Sequence, residues 1–254
     1  MWALVRSATA LTYAPVVAGP AWVIIPTYNE ADCLESLVAA VRDALAGEDF
    51  RILVVDDESP DGTGRIADAL AAGHPEVRVL HRPAKAGLAR AYVAGFGLAL
   101  AEGAGYVFEM DADFSHDPHD LPRLLAEARA GADLVIGSRY VRGGGVENWG
   151  PQRRIVSRAG CLYARALLRL PVRDLTGGFK CFRARALRAI RFESVRSEGY
   201  AFQVELTHRI LRSGLRVAEI PIVFHERREG HSKMSGAIAL EAAWRVPLLR
   251  RYTF

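Results

Sequence analysis

Cysteine is scarce in this sequence: only Cys33, Cys161 and Cys181 occur. They stand far apart, in no CxxC or metal-knuckle spacing, and an odd count makes a poor disulfide framework. A fold stapled by disulfides or by a cysteine-bound metal is therefore not expected, and a reducing cytosol is the simplest setting. Long apolar runs are missing too. No segment approaches the roughly 18 uninterrupted apolar residues that cross a bilayer. The apolar stretch over residues 1–20 contains Arg6 and is broken by Pro15. It reads as a poorly ordered extension rather than a cleaved signal. Several signatures are absent. Without GxxxxGK(S/T) a P-loop is excluded, and without GxSxG or HExxH the common hydrolase motifs are too. No GxGxxG follows the first predicted strand, so the dinucleotide fingerprint also fails. There is no internal repeat and no low-complexity tract.

What is present is globular. Of 254 residues, 50% are apolar and 24% charged, which suits one α/β domain over residues 21–254. The net charge of +4 hides an asymmetry. Residues 1–127 hold 9 Lys/Arg against 19 Asp/Glu, and residues 128–254 hold 24 against 10. An acidic half suits cations, and a basic half suits a phosphorylated ligand or an anionic membrane surface. No nucleic-acid partner is expected.

Short β-rich runs alternate with helical patterns through the first two-thirds of the chain. Strands are expected over 22–26, 51–55, 77–81, 106–110 and 134–137, with helices over 30–46, 61–72, 87–102 and 118–130. This succession predicts a mostly parallel, Rossmann-like sheet with helices on both faces. Further on, Gly143-Gly144-Gly145 reads as a mobile loop, 153–170 as a helix and 175–179 as a tight turn. Helix 200–212, strand 217–224 and an amphipathic C-terminal helix over 237–249 complete the pattern. Trp244 and Leu248 share one side of that last helix, near Arg245, Arg250 and Arg251, a pattern that fits either an anionic bilayer or the core.

Open parallel sheets bind ligands beyond the carboxyl ends of their strands. Three chemistry-bearing segments fall there. Asp111-Ala112-Asp113 ends one strand, and two carboxylates around a small residue can share Mg²⁺ or Mn²⁺, which also bind substrate phosphates. Asp56-Asp57 ends another, where adjacent buried acids are costly without partners. Pro26-Thr27-Tyr28-Asn29-Glu30 ends a third. There Tyr28 suits stacking on a base, Glu30 suits a hydrogen bond to a ring or ribose, and Asn29 suits helix capping. Arg139 and the basic cluster Arg227, Arg228, His231 and Lys233 offer phosphate partners.

These segments together resemble a known family. IIPTYNE (24–30), VVDDESPDGT (54–63), MDADFSHDP (110–118), IGSRYVRGG (136–144), DLTGGFK (174–180) and REGHSK (228–233) occur in the order seen in dolichol-phosphate mannose synthases. These are family 2 inverting glycosyltransferases with a GT-A fold. The match runs from about Trp22 to about Leu249, and the form without membrane spans is most similar to actinobacterial polyprenol-monophosphomannose synthases. The resemblance implies transfer of mannose from GDP-mannose to a polyprenyl phosphate. It further implies a peripheral position on the cytoplasmic face of a membrane, with a separate membrane protein as a possible anchor. Pro26, Tyr28, Glu30, Val55 and Asp57 match nucleotide-holding positions. Asp111, Ala112 and Asp113 match donor and metal positions, with Asp111 and Asp113 the ligands of Mg²⁺ or Mn²⁺. Arg139, Arg227 and Lys233 match positions that hold donor phosphates. The catalytic set so implied is Asp113, Arg139 and Arg227.

The chain departs from the family in two places. Glu58 stands where relatives often carry Gly or Ala. Ser115 stands where some carry a metal-binding Gln, and its hydroxyl is shorter. The alternative function on the same fold is a polyprenyl-phosphate transferase for glucose or another sugar from a UDP-linked donor.

Overall fold

The computed structural model describes residues 19–226 and 244–250. Strand β1 (Ala21–Thr27) sends Trp22 and Ile24 into one apolar cluster and Val23 and Ile25 into another. Strand β2 (Phe50–Asp56) divides Leu53 and Val55 from Ile52 and Val54 in the same way. Strands apolar on both faces belong in the middle of a sheet covered on both sides, and the two clusters are those two cores.

The chain continues with β3 (Val77–His81), β4 (Tyr106–Glu109), β5 (Leu134–Ser138), β6 (Gly145–Val146), β7 (Lys180–Arg183), β8 (Val217–Pro221) and β9 (Val223–Phe224). Seven strands form one sheet in the order β3-β2-β1-β4-β7-β5-β8. All its pairings are parallel except those of β7, which runs antiparallel to both β4 and β5. Helices α1 (Ala31–Ala44), α2 (Thr63–Gly73) and α4 (Leu121–Arg129) feed one core, through residues such as Leu34, Leu37, Ala67 and Leu124. The other face takes α3 (Leu88–Ala101), α5 (Pro151–Leu168), α6 (Ala184–Ala189) and α7 (Gly199–Arg212). Tyr92 and Phe96 of α3 and Phe202 of α7 are its large fillers. Helix α3 approaches β1 so closely that a Cβ on Gly95 would lie 2.5 Å from Ile24 Cγ2.

The expected elements are found with small shifts at their ends, and three expectations change. Gly143-Gly144-Gly145 is not a free loop. Gly145–Val146 pairs in parallel with Val223–Phe224, and a Cβ on Gly144 would sit 2.4 Å from the Ser138 carbonyl. The expected strand 217–224 is two strands, because the chain leaves β5 after Pro221 to join β6. The turn at 175–179 does not stand alone: it launches β7, which fills the gap between β4 and β5. The N-terminal extension lies almost wholly outside the described residues. So does much of the C-terminal helix, of which 244–249 is helical, with Val246 and Leu249 buried and Trp244 exposed.

Candidate active site

Parallel register places the ends of β1, β2 and β4 along one edge. At β1, the backbone turns sharply at Asn29, whose φ is 59°. Asn29 does not cap α1. The Glu30 and Ala31 amides donate instead to Thr63 Oγ1 (3.0 Å) and Asp61 Oδ2 (3.1 Å), so the loop after β2 caps the helix after β1. The Tyr28 ring carries Lys85 Nζ 3.6 Å from its centroid, a cation–π contact on the face expected to meet a base.

Asp56 and Asp57, both buried, have separate tasks. Asp56 accepts from Thr27 Oγ1 and from the Ser59 amide and hydroxyl, closing the β1 and β2 turns together. Asp57 takes Arg82 on one oxygen (2.5 Å) and the Ala86 amide on the other (3.2 Å). That fixes the loop carrying Lys85. The side chains of Val55 and Ala112 are core, and Val55 lies in β2 between β1 and β3; Pro26 is half-buried. Glu58 is exposed at φ 58°, a backbone conformation that glycine adopts at least cost.

The acidic turn after β4 is held from several directions. The Asp111 amide donates to His116 Nδ1 (3.3 Å), and the Ser115 amide to Asp113 Oδ1 (3.0 Å). Tyr92 donates its hydroxyl to Asp111 Oδ1 (3.3 Å), and the His225 amide donates to the Ser115 carbonyl. Phe114 supplies the left-handed residue of the turn, at φ 57°. His116 stacks on Phe179 at 4.8 Å and meets Phe224 edge-on. Burial lowers its pKa, against the pull of Asp111 and Asp113, so the ring is neutral and Nδ1 accepts. Asp113 is buried, and the buried Ser115 Oγ has no hydrogen-bond partner. Two carboxylates and an unpartnered hydroxyl fit a divalent cation that takes its remaining ligands from water and phosphate.

Arg139 is less free than expected. Its Nε and Nη2 donate to the two oxygens of Asp174, each at 2.7 Å, and Nη2 also reaches Thr176. Tyr140, Trp149 and Phe224 surround the guanidinium at 5.2–5.6 Å. Burial opposes its charge, but Asp174 more than offsets that and raises its pKa. The side chain therefore pins β5 to the turn before β7, with only Nε and Nη2 engaged among the described residues. Arg227 and Lys233 lie outside the described residues. The chain enters that segment from β9 and His225, beside the acidic turn.

Sequence reasoning missed Asp174, His116, Glu109, Lys180 and Gln203. The last three lie behind the acidic turn. Glu109 and Lys180 face each other across β4 and β7, both with 0% exposure. Burial lifts the Glu109 carboxyl to about 7 against the pull of Lys180, and lowers Lys180 to about 8 against that of Glu109. Among the described residues no group of three or more His, Cys, Asp and Glu forms a metal cluster.

The model of glycosyl transferase family 2 matches residues 22–191. An undecaprenyl-phosphate mannosyltransferase of Micrococcus luteus is 52% identical over 88% of this chain and 90% of its own. A polyprenol monophosphomannose synthase of Mycolicibacterium smegmatis is 49% identical over 88% of this chain and 84% of its own. In fold, the chain is similar to glucosyl-3-phosphoglycerate synthase from Mycobacterium tuberculosis, solved with Mn²⁺, UDP-glucose and glycerol 3-phosphate. The TM-score is 0.67 and the identity 21%, covering 91% of this chain and 79% of that one. With its mostly parallel GT-A sheet and its acidic turn at the carboxyl edge, this chain belongs to glycosyl transferase family 2, among the polyprenyl-phosphate mannosyltransferases.

Proposed function

We propose that this chain transfers mannose from GDP-mannose to a polyprenyl phosphate, with inversion at the anomeric carbon. One observation carries the reading. The braced turn Asp111–Ser115 sits at the middle of the sheet edge, next to the Tyr28–Asp57 wall, in a chain half identical to polyprenyl-phosphate mannosyltransferases. Tyr28, Glu30 and Asp57 hold the nucleoside, with Lys85 yielding one face of Tyr28 to the base. Asp111 and Asp113 hold Mg²⁺ or Mn²⁺, which when bound offsets the charge of the departing diphosphate. Arg227, Lys233 and Nη1 of Arg139 hold phosphate oxygens. The acceptor phosphate is already an anion, so the reaction needs no dedicated base. An oxygen of that phosphate forms the new bond to the anomeric carbon as the bond to the diphosphate breaks. In-line placement and fixed charge supply the rate.

We further propose that the protein works at the cytoplasmic face of a membrane. No helix of the described residues is long and apolar enough to cross one. Helix α5 exposes Ile155 (68%), Val156, Leu162 (64%) and Tyr163, and carries Arg153, Arg154, Arg158 and Arg165 with no acid. An apolar stripe framed by arginine suits an anionic bilayer, where the lipid acceptor resides.

The test is a donor screen. Purified protein with Mn²⁺ and a polyprenyl phosphate in detergent is given GDP-mannose, UDP-glucose and other nucleotide sugars, and lipid-linked sugar is measured. Mannosyl lipid from GDP-mannose is expected, lost in Asp113→Ala. A preference for UDP-glucose overturns the donor, and no product from any donor overturns the reaction.

A further inference from the structure

Lys180 Nζ donates to the Gln203 carbonyl (2.9 Å), to Gln203 Oε1 (2.6 Å) and to Thr207 Oγ1 (3.2 Å). An ammonium can only donate, so the amide oxygen of Gln203 faces Lys180 and its Nε2 points the other way. The stack of Phe202 on Tyr92 (6.2 Å, 7° between planes) holds this part of α7 against α3.

Gln203 Nε2 is buried and carries two hydrogens: one is directed at the neighbouring Glu109 carboxylate, and the other has no partner. A buried donor left unpartnered costs about 1–3 kcal/mol, and such groups in a folded protein call for an explanation. On its other side lies Gly178. The point a side-chain carbon would occupy there is 3.6 Å from Nε2 and 3.9 Å from each oxygen of Asp111. The missing side chain therefore leaves a hollow between a fixed N–H donor and the first acid of the DxD turn.

We propose that Gln203 is a substrate-contacting residue at the transfer end of the cleft, donating Nε2–H to a substrate oxygen lodged over Gly178, and that Lys180 is the positioning residue that orients it. This rests on the glycosyl-transfer reading above and extends it to a residue outside the nucleotide and metal sets. The shared chemistry is an oxygen that accepts a hydrogen bond. It belongs either to a hydroxyl of the transferred sugar, which would also donate to Asp111, or to the acceptor phosphate.

Gly178→Ala is the sharpest probe. The added carbon meets its neighbours only at ordinary contact distances, so the fold tolerates it, yet it intrudes on the hollow. Gln203→Met removes the donor. In the double variant Lys180→Met with Glu109→Gln, both buried charges go together and the amide loses its fixed orientation. Each is compared with wild type for melting temperature, for calorimetric affinity toward GDP and GDP-mannose with Mn²⁺, and for KM toward polyprenyl phosphate. GDP affinity and melting are expected to stay unchanged in Gly178→Ala and Gln203→Met. A loss of about three- to tenfold, the worth of one hydrogen bond, appears in GDP-mannose affinity if the oxygen is the sugar's, or in acceptor KM if it is the phosphate's. The double variant shows the same selective loss. Wild-type values in both arms for well-folded Gly178→Ala and Gln203→Met overturn the Gln203 role, and for the double variant overturn the Lys180 role. If Gln203→Met does not fold, Gly178→Ala decides alone. Wild type binding neither GDP nor UDP with Mn²⁺ overturns the functional reading itself.

Discussion

Arg139 and Asp174 show how a residue can be conspicuous in the sequence for one reason and matter in the fold for another. The guanidinium and carboxylate are both buried and joined by two hydrogen bonds. Removing one partner strands the other. Arg139→Met is expected to cost about 3–5 kcal/mol in urea unfolding, and adding Asp174→Asn should recover much of that loss. The pH dependence follows from Asp174. Burial alone would raise its pKa, but Arg139 wins and holds it below 3.8. A depressed carboxyl contributes stability that is complete above its unfolded pKa and is lost as pH falls through the folded one. Wild type should therefore lose stability below about pH 4 more steeply than Asp174→Asn, as urea midpoints at stepped pH would measure. None of this pairing was legible beforehand. An arginine after a strand reads as a phosphate hand, and its partner lies beyond the whole of α5, where no local pattern points back to it.

Elements were legible in proportion to their own periodicity. Helix α1 shows Leu34, Leu37, Val38 and Val41 on one face, and β1 and β2 are apolar on both, so each was readable in isolation. The acids at strand ends were readable for a second reason, since parallel topology gathers such ends at one edge. Strand β7 had neither signal. Four residues, Lys180–Arg183, carry no distinguishing alternation, and their place between β4 and β5 is decided by long-range pairing. With β7 went Lys180, and with Lys180 the meaning of Glu109 and Gln203. Close packing between elements was equally hidden. Gly95 reads as a weak spot in a helix, where alanine would add about 1 kcal/mol. The contact with Ile24 reverses that sign. Gly95→Ala is expected to destabilise by about 1–3 kcal/mol in urea unfolding, because overpacking outweighs propensity.

On the scale of the whole molecule, the acidic and basic halves of the chain divide the labour. The first half builds the sheet edge that carries Tyr28, Asp57 and the acidic turn. The second supplies the arginine-bearing α5 and the segment entered from β9. If the exposed stripe of α5 rests on lipid, Ile155→Ser with Leu162→Ser should reduce co-sedimentation with anionic vesicles several-fold. Turnover of a short, detergent-soluble acceptor should be unchanged. Equal sedimentation of variant and wild type would move the membrane contact elsewhere, with exposed Trp244 the next surface to test.

The reversed strand β7 also bears on how the chain acquires its shape. Strand β2 pairs with β1 and with β3 through connections of one helix each, whereas β4 joins β1 across three helices and β5 touches β4 only through β7, which arrives after α5. Contacts closed over short loops form before those closed over long ones. A half-made molecule therefore has the β1–β3 ladder, with β4 and its acidic turn still to be placed. Pulse-labelled hydrogen exchange during refolding should protect the amides of Ile52–Val55 before those of Val135 and Cys181. Until β7 docks, the hollow beside Asp111 has neither its Gly178 floor nor the lysine that aims its donor, so the capacity to hold a nucleotide should return before the capacity to transfer sugar.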